Sequence, residues 1–106
     1  MKFILKNDDH PELKGAMNTY SGITWYKGEN GPEIFWSMSG RNPNSYVVSA
    51  LWDGTKAEFK RKMEYKSGPG RSTALPNEIL ISKEADKEYI YVVLNGNDQV
   101  LKQYLN

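Results

Sequence analysis

The chain has 106 residues, of which 39% are hydrophobic and 25% charged, the profile of one folded domain spanning 1–106 rather than of a disordered segment. It has no cysteine and one histidine, which excludes a disulfide framework and a thiolate metal centre. The net charge of +1 provides no broad basic surface for neutralising nucleic-acid phosphates.

In chain order, the first apolar stretch ends at Lys6 and is followed by Asp8 and Asp9, too short for a secretory leader core of about 7 to 15 residues. No segment is long and apolar enough to span a bilayer, so a cytoplasmic protein without membrane attachment is expected, with export by another route as the alternative. A strand is predicted over Lys2–Lys6. A short helical turn then begins at Asp9 with Pro11 just inside it and ends by Gly15.

From there period-two alternation dominates. It predicts strands over Ile23–Lys27, Glu33–Ser39, Ser45–Trp52, Ala57–Lys66, Asn77–Lys83, Glu88–Asn95 and Gln99–Leu105. Gly28 to Pro32, Gly40 to Asn44, Asp53 to Thr55, Ser67 to Gly70 and Asn95 to Asp98 punctuate them with the residues that tight turns require. About eight short strands with meander connections imply an all-β domain: a single small antiparallel β-barrel, or a tight sandwich, that closes its edges.

Alternation also assigns faces. Ile34, Trp36 and Met38 form one apolar row, and Tyr46, Val48, Ala50 and Trp52 the next. Over Ala57–Lys66, strict alternation groups Phe59, Arg61, Met63 and Tyr65 on one side, with Glu58, Lys60, Lys62, Glu64 and Lys66 facing water. Ile90 to Leu94 is apolar on both sides, which predicts a central strand covered on both faces. Arg61 then stands among apolar residues and requires a carboxylate partner, a stacked aromatic or an open rim.

The residues offer little for catalysis. His10 has no second histidine or cysteine with which to build a zinc site. Ser72 and Thr73 lack the context of a nucleophile elbow. The pairs Glu58 with Glu64 and Asp86 with Glu88 lie on charged, solvated stretches. The run Gly68 to Thr73 departs from a phosphate-binding loop in spacing and in the residue at the lysine position. Neither an enzyme nor a cofactor or metal site is expected. By contrast, three tryptophans and seven tyrosines supply abundant contact area. Residues 56–71 concentrate positive charge, with six basic and two acidic side chains.

The features with the clearest functional content are Trp25 before a glycine-rich turn, Trp36 after it, and Arg41 in the next turn. An indole bounding a shallow site, with backbone amides exposed by Gly28 and a guanidinium nearby, suits a pyranose that stacks its C–H face and shares its hydroxyls. Thr19-Tyr20, Trp25, Trp36, Gly40-Arg41, Val47-Val48, Asp53-Gly54, Met63-Glu64-Tyr65 and Gly68-Pro69 also occur in the order of features found in the Oscillatoria-agglutinin-type lectins. Residues 19–69 resemble one repeat of that family. The resemblance implies a β-barrel that binds branched high-mannose glycans near its ends, with Trp25, Arg41 and the Gly68 turn at the site. Tyr26 and Lys27 replace the family's paired glycines, and residues 70–106 hold no second copy of the motif.

The expected function is therefore a non-enzymatic, lectin-like module that recognises carbohydrate through Trp25, Tyr26, Gly28, Trp36, Arg41, Arg61, Gly68 and Arg71. The alternative is a small protein-binding inhibitor or immunity-type protein, of phage or bacterial type, that blocks a macromolecular partner with loops such as Lys66 to Asn77. Single-stranded nucleic acid, stacked on aromatics beside Lys60, Arg61 and Lys62, is a third and lesser partner class.

Overall fold

The computed structural model describes residues 19–28, 31–39 and 44–105. The predicted strand at Lys2–Lys6, the turn after Asp9, and His10 lie outside the described residues. Seven strands follow in order: β1 Thr19–Gly28, β2 Gly31–Ser39, β3 Asn44–Trp52, β4 Ala57–Lys66, β5 Pro76–Glu84, β6 Lys87–Leu94 and β7 Gln99–Tyr104.

Among the described residues, turns between strands close through local chemistry. Gly31 adopts φ +103° where β2 begins, and Gly54 adopts φ +96° between β3 and β4, a region that disfavours a Cβ. Beside Gly54, the Asp53 carboxylate accepts the backbone N–H groups of Thr55 and Lys56, each at 2.8 Å. Donation from Lys56 and then Thr55 holds the Asp53 carboxyl below its ordinary pKa. Ala85 takes φ +56° in the tight turn from β5 to β6. A 3-10 turn at Asn95–Asn97 leads into β7.

The strands form two antiparallel sheets, β1-β2-β3-β4 and β5-β6-β7. This corrects the closed barrel: among the described residues there is no closed barrel, and the alternative of two stacked sheets is the one found. The connection Ser67–Leu75 carries the chain from one layer to the other instead of adding a fifth strand to the meander.

Hydrogen bonds tie β5 across β1 and β2. Ser21 Oγ donates to Pro76 O at 2.7 Å, Ser37 Oγ donates to Asn77 O at 3.0 Å, and Gly22 N–H donates to Ser37 Oγ at 2.7 Å. The backbones approach so closely that a Cβ on Gly22 would lie 1.9 Å from Asn77 O. On the other side of the stack, Tyr65 Oη donates to Gln103 Oε1 at 2.9 Å, which places β7 near β4.

Phe35, Val47, Tyr65, Ala74, Ile90, Val92 and Leu94 form the core between the sheets. Burying each large apolar side chain contributes about 2 kcal/mol. A second buried cluster, Trp36, Met38, Tyr46, Val48 and Ala50, occupies the opposite face of the four-stranded sheet. β2 and β3 are thus buried on both faces.

Two face assignments change. β4 carries an extra residue at Lys60, because Ser49 pairs with Arg61 while Ala50 pairs with Phe59. Paired residues share a face, so this bulge splits the expected row. Phe59 joins Ala50 in the second cluster, whereas Arg61, Met63 and Tyr65 face β5-β6-β7. β6 is central in its sheet but buries only Ile90, Val92 and Leu94; Tyr89, Tyr91 and Val93 are half-buried on the outer face. The expected cover on both sides is not found there: Leu80 and Val100, which flank that face, are 60% and 69% exposed.

Candidate functional site

The most exposed large aromatic among the described residues lies on β1. That strand is the outer member of its sheet, and its register sets Ile23 opposite Trp36 and Trp25 opposite Ile34. These four side chains share the face of the second cluster. Towards the centre of the sheet, Trp36 is sealed at 7% exposure, while at the outer strand Trp25 and Ile23 stand 64% and 74% exposed. Ile23, Thr24, Trp25, Pro32 and Ile34 line an open depression of about 440 Å³. Among the described residues this lining offers one hydroxyl, that of Thr24, and no ionisable group.

Among the described residues, the other predicted ones do not converge on Trp25. Trp36 is corrected from a contact residue to a core residue. Tyr26 pairs with Glu33, points to the opposite face from Trp25 and packs against the inter-sheet core. Gly28 ends β1, where a Cβ would lie 3.3 Å from the Tyr26 ring. Arg41 lies outside the described residues.

Arg61 is held by a carboxylate, one of the partners its sequence position required. Its Nε donates to Glu33 Oε2 at 2.8 Å, and Lys60 Nζ is 3.4 Å from Glu33 Oε1. Ser49 Oγ donates to the same carboxylate at 2.5 Å, and Glu33 is 3% exposed. The bulge brings two consecutive cations onto one buried anion, which leaves Arg61 committed to structure rather than presented to a ligand.

Gly68 and Arg71 belong to the far end of the molecule, beyond the end of β4 that pairs with Asn44. Asn97 clamps their loop by donating from Nδ2 to Lys66 O at 3.0 Å and accepting the Gly68 N–H at 2.7 Å. Arg71 Nη1 donates to Gly96 O at 3.2 Å and remains exposed.

Sequence reasoning missed Ile23, Thr24, Pro32 and Ile34 as lining residues. The available signal was the period of two that places Ile23 on the same face as Trp25. It also missed the outer face of β5-β6-β7, where Lys102 Nζ is 2.7 Å from Glu84 Oε1 and 4.3 Å from the Tyr89 ring centre. Tyr91 Oη donates to Glu84 Oε2. Hydrogen bonding from Lys102, and then from Tyr91, holds the Glu84 carboxyl below its usual range; the bond to Glu84 raises Lys102.

Among the described residues no three His, Cys, Asp or Glu side chains gather to hold a metal ion, and no helix is long and apolar enough to cross a membrane. No family model, curated protein or solved structure matches this chain.

Proposed function

We propose that this chain is a non-enzymatic binding module that engages a protein partner through the Trp25 surface of β1. The observation that carries the reading is a tryptophan 64% exposed beside an isoleucine 74% exposed, at the mouth of a depression lined almost wholly by apolar side chains. Isolated surface hydrophobes are ordinary, whereas a contiguous indole and aliphatic wall is the usual anchor of a protein interface. A partner side chain inserted beside Trp25 would be desolvated without leaving a buried polar group unpaired.

Carbohydrate recognition is the second reading, favoured by the size of the depression, which falls within the range of about 300 to 1,000 Å³ typical of small-ligand sites. Among the described residues, a pyranose stacked on Trp25 would find only the Thr24 hydroxyl in the lining, because Arg61 is bound to Glu33 and Arg71 lies at the other end of the molecule. That shortage of polar partners places the sugar second.

Affinity capture from host lysate, run in parallel with the wild type and Trp25→Ala, tests the proposal. A protein retained stoichiometrically by the wild type and weakened about 30-fold or more by Trp25→Ala supports it, that being the cost of losing an interface anchor. A partner that survives Trp25→Ala but is lost on Arg71→Ala moves the interface to the Ser67–Leu75 connection. A Trp25-dependent response on a glycan array, with no captured protein, establishes the second reading instead.

A further inference from the structure

The four outer strands of the two sheets differ in how their edges are protected. Open edges present unpaired backbone donors and acceptors, and proteins normally interrupt them with bulges, proline or charge. β1 carries an extra residue opposite β2, β4 one opposite β3, and β5 one opposite β6. β5 also begins with Pro76, and β4 carries Lys60, Arg61, Lys62, Glu64 and Lys66.

β7 has none of these protections. It pairs with β6 from Gln99 to Tyr104 without a register shift, contains no proline, and exposes Val100 by 69%, Leu101 by 37% and Tyr104 by 60%. Its single charged residue, Lys102, does not guard the edge. The ammonium reaches inward across β6 to Glu84 on β5 at 2.7 Å and stands over Tyr89 and Tyr91. No strand lies beyond β7 among the described residues.

We infer that β7 is a self-association edge, along which two copies of the chain pair antiparallel to make one continuous sheet of six strands. The strand is complementary to itself in a register centred on Leu101. Antiparallel partners about a two-fold axis must share a face, so the axis passes through a residue rather than between two residues. Centred on Leu101, the pairing sets Leu101 against Leu101 of the partner subunit, Gln99 against Gln103 of the partner subunit, and Val100 against Lys102 of the partner subunit. Centring on Lys102 would oppose two ammonium-bearing stems, which is unfavourable. In the Leu101 register each Lys102 is already neutralised by its own Glu84, so the copies meet without like-charge repulsion. The edge lies on the opposite side of the stack from β1, and the dimer therefore leaves both Trp25 surfaces open.

Sedimentation velocity on the full chain across the micromolar range tests the inference, together with single-cysteine variants in a protein that has no native cysteine. A concentration-dependent dimer is expected. Leu101→Cys should form a disulfide-linked dimer on mild oxidation, while Val100→Cys and Gln103→Cys, displaced from the axis, should not. Val100→Lys, at an exposed position where folding is preserved, should weaken the dimer about tenfold by setting like charges opposite each other twice. A monomer throughout that range overturns the proposal. So does a dimer that ignores Val100→Lys and does not cross-link through Leu101→Cys, with circular dichroism confirming that both variants are folded.

Discussion

Arg61 and Glu33 meet across an intervening strand: the guanidinium Nε lies 2.8 Å from a carboxylate on β2, 28 positions away in sequence, with β3 between them. Glu33 is 3% exposed, so its charge depends on Arg61, Lys60 and Ser49 in place of water. Removing one member of such a pair costs far more than replacing both by apolar groups. Arg61→Met should lower stability by about 3 kcal/mol, and the double variant Glu33→Leu with Arg61→Leu should recover most of that loss. Urea unfolding of the three proteins provides the check; equal losses in the single and double variants would contradict a dependence of Glu33 on Arg61.

Two glycines separate steric from conformational constraint. At Gly22 a Cβ would lie 1.9 Å from Asn77 O, whereas at Gly54 nothing lies within 4 Å and φ is +96°. Gly22→Ala has to push β5 away from β1 and should cost about 2 to 3 kcal/mol. Gly54→Ala meets only backbone strain, about 1 kcal/mol. Thermal melts should rank them in that order, with faster amide exchange in β5 for Gly22→Ala.

Alkaline stability should report on Tyr65. Burial raises its phenol to about 12, from an unfolded value of 10.0. Between those values the unfolded chain has released a proton that the folded chain retains, so folding weakens as pH rises. The contribution is complete below pH 10.0 and declines by about 1.4 kcal/mol per pH unit towards 12. Tyr65→Phe should remove that part of the slope, which unfolding curves at several alkaline pH values would measure.

Indole emission should divide by strand. Trp25 is 64% exposed and Trp36 7%. Acrylamide should quench Trp25 efficiently and Trp36 hardly at all, and Trp25→Phe should remove the most accessible component of the emission while changing stability by less than about 0.5 kcal/mol. Trp52, half-buried at the end of β3, supplies an intermediate component, so quenching unchanged between the wild type and Trp25→Phe would contradict the exposure of Trp25.

The serines show why part of the fold was hidden in the sequence. Ser37, Ser45 and Ser49 alternate with the apolar rows of β2 and β3, yet each is fully buried. Ser37 bonds Asn77 O, Ser45 bonds Thr73, and Ser49 bonds Glu33. Small hydroxyls allow two sheets to approach closely while satisfying one another, and nothing local distinguishes them from surface serines.

By itself, the sequence determined where the strands run and where they turn. Alternation and glycine, asparagine and aspartate punctuation are properties of the backbone within a few residues, and β1 to β7 match the predicted positions to within four residues at their ends. Tertiary structure alone decided that the strands divide into two sheets, that one extra residue at Lys60 sends Phe59 and Arg61 to opposite faces, and that Trp36 is enclosed while Trp25 remains in solvent. Those outcomes depend on which layer lies over which face and on how near each strand is to the edge of its sheet. Period-two pattern cannot encode either relation, because it is the same for a covered face and an open one.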